Sequence, residues 1–104
     1  MAKLSKPLDG SSHNHATGTK RFEWTNANPT VTGASHWRLK VGSAKFGYNF
    51  YIGTVPFSQR YVDPINLINM STLPKGCFAT VEWSFNGTGG PWTSAQDWTT
   101  FTCT

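Results

Sequence analysis

The feature that most constrains this chain is a two-residue alternation, repeated along it and broken by glycine and proline. Residues 77–85 place Cys77, Ala79, Val81, Trp83 and Phe85 at one parity and Phe78, Thr80, Glu82 and Ser84 at the other. Residues 36–41 set Trp37, Leu39 and Val41 against His36, Arg38 and Lys40. Successive side chains of a strand point to opposite faces, so both segments read as strands with one buried face. A helix would scatter the three basic side chains around its axis, whereas a strand sends all three outward. Glu23 and Glu82 also fall at outward positions, where a solvated carboxylate is expected. No apolar stripe of helical period survives the glycine and proline punctuation.

The remaining segments follow the same logic. Residues 3–8 read as a short leading strand, and Pro7 suits it to an edge. A polar, glycine-rich stretch follows through Thr19. Residues 20–25 alternate around Phe22 and Trp24. Asn28-Pro29 and Gly33 mark a turn region. Residues 48–52 are aromatic on both faces, and residues 55–62 are extended with Pro56 at an edge or bulge. Residues 65–70 alternate with an ambiguous register. Leu73-Pro74-Lys75-Gly76 is a tight turn, residues 86–96 form a glycine-rich loop carrying Trp92, and residues 98–103 are the last strand. The expectation is an all-β sandwich of roughly seven or eight antiparallel strands. Residues 1–19 form an N-terminal arm with a short edge strand, and residues 20–104 form the sandwich.

Composition narrows the function. The 104 residues suit one domain. Charged residues make up 13%, about half the usual ~25%, and aromatic residues make up 14%, which excludes a disordered tail. The net charge is +4, but no basic run exceeds two residues, so a solvated face is expected in place of a nucleic-acid footprint. No apolar stretch is long enough for a membrane helix, and no signal peptide opens the chain. Met1 reads as the start of a small gene product made in a cytoplasm, where sequon matches at Asn69 and Asn86 carry no consequence. The acids are Asp9, Glu23, Asp63, Glu82 and Asp97, without a nucleophile motif or a paired-carboxylate pattern, so no enzyme activity is expected. His13, His15 and His36 with two cysteines lack zinc-site spacing, so neither metal nor cofactor is expected.

Cys77 and Cys103 test the strand assignment. If they oppose each other in a hairpin, Ala79 faces Phe101 and Val81 faces Thr99, which keeps Phe101 on the core side. Opposed α-carbons lie ~4.5–5.5 Å apart, within disulfide reach. A bond would contribute roughly 3–4 kcal/mol in the chain-entropy model. In a reducing compartment the pair would pack as thiols.

The aromatics divide in two. Phe22, Trp24, Trp37, Trp83 and Phe101 suffice for a sandwich core. Tyr48, Phe50, Tyr51, Phe57, Tyr61, Trp92 and Trp98 exceed it. Of these, Tyr48, Tyr51, Phe57, Tyr61, Trp92 and Trp98 are the candidate partner contacts, because Tyr and Trp give rigid contact area at low entropic cost.

Phe22-Glu-Trp24-Thr, Ala34-Ser-His-Trp37-Arg-Leu39-Lys-Val41-Gly42-Ser, Leu73-Pro-Lys-Gly76-Cys-Phe-Ala-Thr-Val81-Glu-Trp83-Ser and Phe101-Thr occur in that order. This pattern resembles bacterial fibronectin type III-like and immunoglobulin-like modules, over roughly residues 20–104. The resemblance implies a β-sandwich without catalytic residues. It departs from the pattern at residues 26–31 and in the aromatic region 48–57. Immunoglobulin-like domains are frequent on tailed-phage virions. The function expected is therefore docking, as a virion accessory protein on a phage capsid, tail or fibre, with self-association through residues 3–8 or 48–61. The alternative is a carbohydrate- or surface-binding module of a bacterial extracellular protein, with Trp92, Trp98 and Tyr51 stacking on sugar rings. A plain spacer domain is the third option.

Overall fold

The computed structural model describes residues 4–6, 10–13, 21–26, 30–62, 75–94 and 98–103. Alternation builds the strands among them, and turn residues end them. Nine strands occur among the described residues: β1 (Leu4–Lys6), β2 (Ser11–His13), β3 (Phe22–Trp24), β4 (His36–Gly42), β5 (Tyr51–Pro56), β6 (Tyr61–Val62), β7 (Lys75–Ser84), β8 (Trp92–Ser94) and β9 (Thr99–Cys103). One sheet runs β1-β3-β6, and the other runs β2-β9-β7-β4-β5 with β8 also paired to β7. The pairings are antiparallel except β2 with β9. Among the described residues no helix is long and apolar enough to cross a membrane.

The two sheets close on one core. Phe22 and Trp24 come from β3, Trp37, Leu39 and Val41 from β4, Cys77, Ala79, Val81 and Trp83 from β7, and Phe101 from β9. The aromatic rings meet edge to face: Trp24 lies 6.1 Å from Trp37, Trp37 lies 6.2 Å from Trp83, and Phe22 lies 5.6 Å from Phe101. Such pairs each add about 0.5–1.5 kcal/mol beyond the area they bury. Trp37 is fully buried, and its indole N–H donates to the Phe57 carbonyl at 2.9 Å, so its polar atom is satisfied.

Several expectations are refined. The 3–8 strand shortens to Leu4–Lys6 and pairs with β3 through an irregular register. Ser11–His13, expected as polar coil, is a strand on β9, so both described segments of the arm belong to a sheet. The aromatic strand begins at Tyr51, and the extended run after it divides into β5 and β6. Trp92 is in β8, not in a loop. Phe85 shares the core parity yet is 52% exposed, because β7 ends at Ser84. There the Asn86 and Gly87 amides turn away to donate to the Ser84 and Ser35 hydroxyls. The expected strand at 65–70 lies outside the described residues.

The β7–β9 register differs by two residues from the expected hairpin. Cys77 faces Phe101, Ala79 faces Thr99, and Cys103 faces Lys75. A two-residue slip keeps every side chain on its face, so Phe101 remains in the core. The direct opposition of Cys77 and Cys103 is therefore not the register of this sheet. Alternation fixes parity only; the pairing itself is set by the connection and by the neighbouring strands.

Candidate functional site

The outer face of the larger sheet carries the densest chemistry. Cross-strand rows follow from the register. Pro56, His36, Ser84 and Trp92 form one row, Thr54, Arg38, Glu82 and Ser94 the next, and Ile52, Lys40 and Thr80 a third. Glu82, expected to be solvated, is buried, and so is Lys40. Two cations cover the carboxylate. Arg38 donates from Nε at 2.8 Å and from Nη2 at 2.6 Å to Glu82 Oε1. Lys40 Nζ lies 3.0 Å from Oε2. The alternation that sent these three groups to one face also placed them side by side, since β4 and β7 are direct neighbours.

One indole flanks the ion group, and a second holds another cation. The Arg38 guanidinium lies 4.4 Å from the Trp92 ring centre, a stacked cation–π contact. Gly90 sets this up: it has φ +77, and a Cβ there would stand 2.8 Å from Trp92 Cδ1. Glycine alone allows the chain to double back so tightly onto the indole. Farther along the sheet, Lys45 Nζ lies 4.1 Å from the Trp98 ring centre, and the Phe46 ring meets Trp98 edge-on at 5.9 Å. Phe46 has φ 62, a conformation rare for a bulky residue and associated with functional loops. Asn49 pins the same connection by accepting from the Ser43 amide at 2.9 Å.

The candidate contacts fall into three kinds. Tyr48 and Tyr61 are exposed, at 60% and 40%, and Arg21 lies over the Tyr61 ring. Tyr51 and Phe57 are half-buried against the core, with Phe57 stacked on Trp37 at 4.8 Å. Burial raises the Tyr51 phenol above its usual range. Trp92 and Trp98 are half-buried, Trp92 against Arg38 of the ion group and Trp98 against Lys45. Sequence reasoning missed the exposed Ile52 and Phe85, and it missed Arg38, Lys40 and Glu82 as one group. The signal for the group was there: three charges of mixed sign at one parity of two adjacent strands.

Among the described residues, no three His, Cys, Asp or Glu side chains gather where a metal could bind. Arg21 lies 3.8 Å from Glu23, a long pair between an exposed arginine and a half-buried carboxylate at the surface, of little energetic weight. No protein-family profile, curated protein or solved structure matches this chain.

Proposed function

We propose that this chain is a non-enzymatic docking domain, an immunoglobulin/fibronectin III-like sandwich that serves as an accessory component of a phage virion. Its strand order supports the fold assignment. A sheet β1-β3-β6 against a sheet containing β5-β4-β7-β9 follows the division of strands expected of such modules. The step from sandwich to virion is an analogy of fold.

The observation that carries the docking reading is the position of the exposed apolar side chains. Tyr48 is 60% exposed and Ile52 46%. Tyr48 lies in the connection that ends on β5, Ile52 is on β5 itself, and β5 is an edge of the larger sheet. Isolated exposed apolar residues are ordinary. Here they adjoin a strand that is the sheet's edge among the described residues, and the loop that carries Phe46 toward Trp98, which favours a contact surface.

Mass spectrometry of purified particles, with co-sedimentation of the free protein on capsids or tails, tests the proposal. Wild-type protein should pellet with one of them. Tyr48→Ala/Ile52→Ser should bind about tenfold more weakly, as expected for loss of apolar contacts at an interface. Absence from particles together with failure to pellet would overturn the reading. A tryptophan fluorescence change with polysaccharides, lost in Trp92→Ala, would move it to the carbohydrate-binding alternative.

A further inference from the structure

We infer that the outer face of the larger sheet holds an oxyanion-binding subsite, formed by Lys40, Lys45 and Thr80 beneath Trp98. Three observations converge on it. First, Thr80 is 1% exposed, and its hydroxyl has no hydrogen-bond partner among the described residues. A buried hydroxyl left this way costs free energy unless a ligand or water completes it. Second, Lys40 is the direct cross-strand neighbour of Thr80. Its ammonium has three protons, of which the contact with Glu82 engages one. Third, among the described residues Arg38, Lys40 and Lys45 supply three positive charges and Glu82 one carboxylate, an excess of two.

Register places the remaining wall. Thr99 pairs with Ala79 where the β7–β9 ladder ends, and Trp98 and Thr80 are the next residues of the two chain segments beyond that pair. Lys45 and Phe46 pack on that indole. The subsite thus combines the Thr80 hydroxyl and its cross-strand neighbour Lys40 with the Lys45 ammonium held on the Trp98 indole. Phe46, held at φ 62, belongs to the connection that packs on Trp98. A carboxylate or phosphate would accept from Thr80 Oγ1 and from the ammonium of Lys40, and Lys45 would neutralise its outer side. This subsite does not depend on the docking reading, because a free anion and an acidic side chain of a partner present the same chemistry.

The test is a tryptophan fluorescence titration of the full chain with inorganic phosphate and with a tetraglutamate peptide, each against chloride at matched ionic strength. A saturable change is expected. Thr80→Val and Lys45→Ala should each weaken it about tenfold, the scale of one charge-assisted hydrogen bond or ion contact. Lys45 is exposed, so its variant is informative even if Thr80→Val fails to fold. Saturation by phosphate alone assigns a free anion, and tighter binding of the peptide assigns an acidic partner segment; either supports the subsite. A response equal to chloride, or curves unchanged in both variants, would overturn it.

Discussion

At the scale of residues, burial decides which substitutions matter. Glu82 neutralises two cations whose side chains are only 21% and 11% exposed. Glu82→Gln removes their counter-charge among the described residues, and a loss of about 3 kcal/mol is expected, since breaking a buried pair strands the remaining charge. Urea unfolding at two salt concentrations checks this, and added salt should restore little of the loss. The core tryptophans give a contrast. Trp37 donates a hydrogen bond to Phe57, whereas the Trp24 indole N–H is buried without a partner among the described residues. Trp37→Phe should therefore cost about 1 kcal/mol more than Trp24→Phe, the net value of one hydrogen bond. The difference in urea midpoints reads it directly.

At the scale of elements, close backbone packing fixes the β4–β5 connection. A Cβ on Gly42 would stand 2.5 Å from the Gly47 carbonyl carbon and 2.8 Å from Asn49 Oδ1. Gly42→Ala should push this connection off Trp98 and cost about 2–3 kcal/mol, as overpacking does. A shift in tryptophan emission with a lowered unfolding midpoint is the expected result. What could be read in advance at this scale follows the physics of alternation. Strands β4 and β7 are long, with clean parity, and their core faces were legible residue by residue up to Trp83. Ser11–His13 was not legible, because a short polar strand held by pairing with β9 has no apolar period to betray it. Trp92 was read as a loop residue because the surrounding glycines masked a strand of three residues. The ion group was half legible: parity gave the shared face, but the closure of Arg38 and Lys40 over Glu82 depends on the pairing of β4 with β7, which are distant in sequence. The β7–β9 register was invisible for a related reason, since a slip of two residues changes no face.

At the scale of the whole molecule, the N-terminal segments tie the two sheets together. β1 adds to the smaller sheet and β2 to the larger. Removing residues 1–13 would expose the β3 edge and the β9 edge at once, and uncovered strand edges pair with other chains. The shortened chain should therefore associate in a concentration-dependent way and unfold at lower urea. Sedimentation velocity and equilibrium unfolding measure the two effects. The parallel pairing of β2 with β9, Ser11 beside Phe101 through His13 beside Cys103, has a mechanical meaning as well. Tension applied through the two ends would draw these neighbouring strands in opposite directions along their length. Their hydrogen bonds would then bear the load together in shear instead of parting one at a time, which makes this seam the natural force-bearing clamp of a domain held between two attachments.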